Sequence, residues 1–127
     1  MKTLWMLGAL AIATSAWGQV GPPPPQGFHI AVIVNAELAR QPTAEDYASV
    51  YPPAARKAHV PGKTKVECKI SPQGEVHDCV VHSEDPPGQG FGEAAIKLLT
   101  HIGARPGTRD GVPAESWFIE YIDFTAP

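Results

Sequence analysis

Cys68 and Cys79 are the only two cysteines in the 127-residue chain, and they are its first candidates for chemistry. Three roles are open to such a pair: a disulfide, a redox couple, or a metal site shared with His77 and His82. A redox couple calls for Cys-x-x-Cys spacing and a metal site for a second group of ligands, and the sequence supplies neither. The simplest reading is a disulfide across a hairpin, since the two cysteines fall on facing strands of a chain that begins like an exported protein. Loop closure over so short a segment contributes about 3 kcal/mol at most.

The histidines at 29, 59, 77, 82 and 101 sit in no nucleophile or zinc-protease motif. His82-Ser83-Glu84-Asp85 contains residue types of a hydrolytic triad, but adjacent strand residues point to opposite faces and do not converge. That stretch reads as a strand end entering a solvated acidic turn. Nowhere do a nucleophile, a base and an orienting group come together, so no enzyme and no cofactor are expected.

The informative stretch for binding is the last one, Ser116, Trp117, Phe118, Ile119, Glu120, Tyr121, Ile122, Asp123 and Phe124. Its aromatic and β-branched content predicts a strand with apolar residues on both faces. Burial in a core accounts for one face. The other is left to cover a helix, to form a homodimer, or to flank an exposed edge that accepts an extended peptide through main-chain hydrogen bonds.

The elements that position these residues follow from local pattern. Phe28 to Val34 is β-branched enough for a strand, with no partner readable. Thr43-Ala44-Glu45-Asp46 has the spacing of an acidic capping box and predicts a brief helix. Tyr51-Pro52-Pro53 interrupts it, and a second helix runs from Pro53 to His59. Lys63 to Ile70 alternates polar and apolar residues as a strand does, and Ser71-Pro72-Gln73-Gly74 turns the chain into a returning strand from Glu75 to His82. One extra residue near His77-Asp78, a bulge, puts Val76, Cys79 and Val81 on one face. Phe91, Ala94, Ala95, Leu98 and Ile102 recur at helical spacing, Gly103 stops that helix, and Arg109 to Pro113 is a turn. The predicted class is α+β: a small antiparallel sheet, made of the hairpin and the C-terminal strand, covered by two helices. Its expected core is Val66, Ile70, Val76, Val81, Phe91, Ala95, Leu98, Ile119 and Phe124.

Composition narrows the setting. A formal charge of −3 with scattered Lys and Arg offers no basic stripe, which argues against a nucleic-acid partner. Lys2, the apolar run from Leu4 to Ala13 and the small residues Ala16 and Gly18 predict a signal peptide over residues 1–18, cut before Gln19. The apolar run is short against the roughly 20 residues of a membrane-spanning helix. Residues 19–42 then form a Pro-rich tether and N-terminal segment, and 43–127 form the folded domain. The tether, Gln19 to Gly27, reaches about 30 Å when extended.

Tyr51-Pro52 followed by Ala55, Gly62 before the first hairpin strand, Gly74-Glu75-Val76 at the turn, Glu93-Ala94-Ala95 opening the long helix, Pro106, and Asp110-Gly111-Val112-Pro113 before a strand ending at Phe124 form an ordered pattern. In it the chain resembles the TonB C-terminal domain family, over about residues 47 to 124. The cysteine pair is similar to that of an exported, cysteine-bearing branch. The resemblance implies a periplasmic domain that takes the TonB-box peptide of a TonB-dependent outer-membrane receptor, or a segment of another envelope protein, as an added strand along residues 116 to 124. Family energy transducers also carry an uncleaved inner-membrane anchor and a long proline-rich linker. Two alternatives therefore stand beside a soluble periplasmic binding module: a membrane-anchored transducer component facing the periplasm, and an envelope protein that self-associates through its last strand.

Overall fold

The computed structural model describes residues 31–127, and Ala31 to Pro127 form one compact unit. The expected signal peptide, the tether, and Phe28, His29 and Ile30 of the predicted Phe28–Val34 strand lie outside the described residues, and of that stretch Ile33 and Val34 are in a strand.

Two short strands come first, β1 (Ile33–Val34) and β2 (Glu37–Leu38). Helix α1 (Ala44–Val50) starts on the predicted capping box: Thr43 Oγ1 accepts from the Asp46 backbone N–H at 3.2 Å, while Asp46 Oδ2 accepts from the Thr43 N–H at 2.8 Å. The box is tied to the preceding segment by Arg40, which grips Asp46 with both guanidinium nitrogens. Asp46 is 8% exposed, and the Arg40 hydrogen bonds, then the Thr43 backbone, hold its carboxyl well below the usual carboxylate range. His101 Nε2 stands 3.7 Å from the same carboxylate. Helix α2 (Pro53–Lys57) opens with proline at its first position, where a missing N–H costs nothing.

The principal sheet comprises β3 (Gly62–Ile70), β4 (Val76–Asp85) and, at the end of the chain, β8 (Ser116–Phe124), with β3 in the middle. Both pairings are antiparallel, and β3 pairs with β8 without a break from Gly62↔Phe124 to Ile70↔Ser116. The β3–β4 ladder has the expected irregularity opposite Cys68, where Asp78 takes a positive φ of 47°. A second register shift lies between Lys65 and Val66. The Cys68–Cys79 disulfide spans the first of these, with the Cys68 side fully buried.

Helix α3 (Phe91–Ile102) packs over β3 and β4 and against α1. It is followed by β5 (Ala104–Arg105), β6 (Thr108–Arg109) and β7 (Val112–Pro113). Asp110 and Gly111 join β6 to β7 with φ of 52° and 80°, the double left-handed turn for which Asp-Gly is the preferred pair. β2 pairs with β5, and β1-β6-β7 form a separate small sheet.

The core gathers where α3 meets the sheet. Phe91 and Phe124 lie 5.3 Å apart between ring centres, and Tyr51 meets both edge-on. Val66, Ile70, Phe91, Ala95, Leu98 and Phe124 are buried as expected, while Val76 and Val81 are partly buried against them.

Three sequence expectations need correction. Ile119 is not in the core: it is 45% exposed, and Phe118 and Ile122 face inward instead. β4 does not end at His82 but continues to Asp85, so Ser83, Glu84 and Asp85 are ladder residues opposite Lys65, Thr64 and Lys63. Glu84 is not in a free acidic turn either, because its Oε1 accepts the Phe91 N–H at 2.8 Å and so satisfies an orphan donor at the start of α3. The stretch from Arg109 to Pro113 is a turn flanked by two short strands.

Candidate functional site

β8 is the site's backbone. It stands at the outer position of the β4-β3-β8 sheet, and no described strand pairs with its other side. An antiparallel edge strand presents every second residue's N–H and C=O away from its neighbour, so this side is a row of unused main-chain donors and acceptors.

Strand alternation sorts its side chains. Phe118, Ile122 and Phe124 are buried in the core, and Glu120 is half-buried on the same side. Trp117, Ile119, Tyr121 and Asp123 face out; Trp117 is 67% and Tyr121 70% exposed. On that outer face Lys65 sits 5.6 Å from the Tyr121 ring centre, and His82 Nε2 lies 2.6 Å from Glu67 Oε2. Thr64 Oγ1 donates to the Ile122 carbonyl at 3.3 Å, and Ser116 Oγ accepts the Gly107 N–H at 2.9 Å, which pins the first residue of β8.

Alongside the first half of β8 runs a groove of about 600 Å³. That volume falls within the usual span of roughly 300–1,000 Å³ for ligand sites. One wall is Ser116 to Glu120, and the other is Ile33, Val34 and their β6 partners Thr108 and Arg109. Gly107 belongs to this lining too: a Cβ placed on it would stand 2.7 Å from the Val34 carbonyl oxygen and 3.0 Å from Ser116 Cβ, so only glycine lets the two walls approach this closely. Glu120 faces this region, and burial pushes its carboxyl above the ordinary carboxylate range.

The other candidates from sequence do not assemble into chemistry. Cys79 is in the disulfide, His77 Nδ1 lies 3.1 Å from Asp78, and His82 pairs with Glu67. Among the described residues no group of three or more His, Cys, Asp and Glu is placed to hold a metal ion. Nor is any described helix long and apolar enough to cross a membrane. Sequence reasoning missed Ile33, Val34 and Gly107. The β-branched run ending at Val34 marked a strand, but its partner lies some 75 residues away.

In comparisons with known proteins, the family model of the Gram-negative bacterial TonB protein C-terminal matches residues 47–125. No curated protein matches the chain.

Proposed function

The chain belongs to the TonB C-terminal family, and from that premise we propose that it is a periplasmic docking module which takes a short extended peptide of a TonB-dependent outer-membrane receptor, or of another envelope protein, onto the free edge of β8. The family is a non-enzymatic one of the cell envelope, associated with transport energy transduction. The observation that carries the finer reading is the unpaired side of β8, with an apolar groove running beside it. Strand addition obtains affinity from main-chain hydrogen bonds and specificity from pockets for alternate side chains, and this edge offers both.

Successive strand amides point to opposite sides. Of the substitutions Ile119→Pro and Glu120→Pro, one therefore removes a donor to β3 and the other a donor of the free edge. The variant that keeps the wild-type melting temperature is the edge variant, and it should lose binding of a synthetic TonB-box peptide at least tenfold in titration calorimetry. Unchanged binding by that folded variant contradicts docking at β8.

Residues 1–18 act in this reading as an export signal removed before Gln19, and the mature protein is soluble. The intact mass of protein from separated periplasmic and membrane fractions tests this. A soluble species starting at Gln19 supports it, and a full-length membrane species points to an anchored transducer component instead.

A further inference from the structure

Among the described strands, two edges line the groove. β8 ends the β4-β3-β8 sheet, β1 ends the β1-β6-β7 sheet, and Ile33, Val34 and Ser116 to Glu120 face the same space across Gly107.

The orientation of β1 follows from its contacts with the β6–β7 hairpin. Val32 is turned toward the hairpin: its carbonyl accepts the Asp110 N–H at 2.8 Å, and its own N–H donates to Asp110 Oδ1 at 3.0 Å. Val34 is turned the same way, with its carbonyl oxygen beside Gly107 and its pairing to Thr108. Alternation along an antiparallel strand then directs the Ile33 N–H and C=O outward, away from β6. These residues precede the segment, 47–125, that matches the family model.

The groove also carries charge. Its ionisable lining is Glu115, Glu120 and Arg109, which is net negative. Glu120 makes no hydrogen bond or ion pair to a described residue, and its partial burial disfavours the ionised form. A cation brought opposite it relieves that penalty, as opposite charges do in directly facing strand positions.

We propose that this groove is a two-edged slot, in which an extended segment of a partner protein, bearing a lysine or arginine in register with Glu120, inserts between β1 and β8 and pairs with both. The inference rests on the docking reading above and adds its second wall and its charge preference. Insertion joins the two sheets through the partner: the bound segment pairs with β8 on one side and meets the outward Ile33 N–H and C=O on the other, a contact that an open one-sided edge does not provide.

The test uses the full chain and two synthetic peptides, acetyl-Thr-Val-Thr-Lys-Thr-Val-Thr-amide and its counterpart with Glu at the centre, followed by amide chemical shifts at low ionic strength. In the wild type the Lys peptide should bind at least fivefold tighter than the Glu peptide, and Glu120→Gln should bring that ratio within twofold. Ile33→Pro, which deletes only an outward N–H, should weaken the Lys peptide at least fivefold, whereas Ile33→Ala, which keeps the N–H, should stay within twofold of wild type. Should Ile33→Pro disturb the fold, hydrogen exchange of the wild-type Ile33 amide decides in its place, and protection on adding the Lys peptide is expected. If β8 amides respond but Ile33 does not, or if the two peptides bind equally, the slot is wrong and docking at β8 survives. If neither peptide perturbs β8 at millimolar concentration, both readings fall.

Discussion

Gly62→Ala, a substitution that ordinarily helps a strand, should harm this one. Replacing a strand-interior glycine with alanine gains about 0.5–1 kcal/mol of backbone entropy. Here, however, a Cβ on Gly62 falls 2.4–2.6 Å from three atoms of the Phe91 ring, closer than carbon atoms approach one another. Phe91 is fully buried and has no room to yield, because Tyr51 stands edge-on 5.7 Å away and Phe124 lies at 5.3 Å. Overpacking of this kind costs about 1–3 kcal/mol, which exceeds the entropic gain. The net loss should be about 1–2 kcal/mol, a fall in Tm of about 8 °C for a unit of this size. The mechanism makes a sharper demand than the sign alone. In a Phe91→Leu background the obstructing ring is gone, so adding Gly62→Ala should cost less than half as much as it does in the wild type, a non-additivity expected for residues in contact. Thermal unfolding followed by circular dichroism on the four proteins of this cycle measures it. A Gly62→Ala protein as stable as wild type, or two substitutions that simply add, would refute the steric argument.

Three further outcomes are expected. Asp46 has its folded-state pKa depressed by Arg40 and Thr43, so its contribution to stability is fully present above the unfolded carboxylate value and is lost as pH falls through the lower folded one; Tm should be flat near neutrality and drop below about pH 4, and Asp46→Asn should flatten that acid limb in a pH series. Reducing the Cys68–Cys79 bridge, which closes a loop of sequence separation 11, should cost at most about 3 kcal/mol and less if the hairpin persists in the unfolded chain, as urea titration with and without reductant will measure. Gly107→Val should close the groove, because a Cβ there already meets Val34 and Ser116, and peptide binding in calorimetry should be lost with little change in α3 or the β3–β4 hairpin by amide shifts.

Much of this fold is written locally. Thr43 and Asp46 announce α1 because a capping box needs only residues three apart, and the alternation of β3 announces itself because one of its faces is buried and the other is not. The bulge opposite Cys68 was legible for a related reason: without it Val76, Cys79 and Val81 fall on different faces. β8 defeated the same logic at Ile119. Period-two reasoning finds the buried side of a strand by contrast, and in a run of Trp117, Phe118, Ile119, Tyr121 and Ile122 both sides are apolar, so nothing in the pattern says which parity packs into the core. Glu84 and Asp85 look like a surface turn in composition, yet Glu84 is fixed by the N–H of Phe91, a contact visible only once α3 is in place. The candidate site was half-legible. The aromatic strand marked one wall, but the other depends on β1 reaching β6 across most of the chain and on Gly107 lying between them, and pairings that distant leave no local signature.

The central claim is that β8 receives an extended peptide along its free edge. Amide hydrogen exchange resolved by residue, before and after adding a synthetic TonB-box peptide, tests it most directly, since strand addition converts solvent-exposed edge N–H groups into ladder donors. The account predicts that alternate amides between Trp117 and Tyr121 become protected while those already bonded to β3 change little. Protection confined to the β4 edge or to the helices, with β8 unaffected, would contradict it.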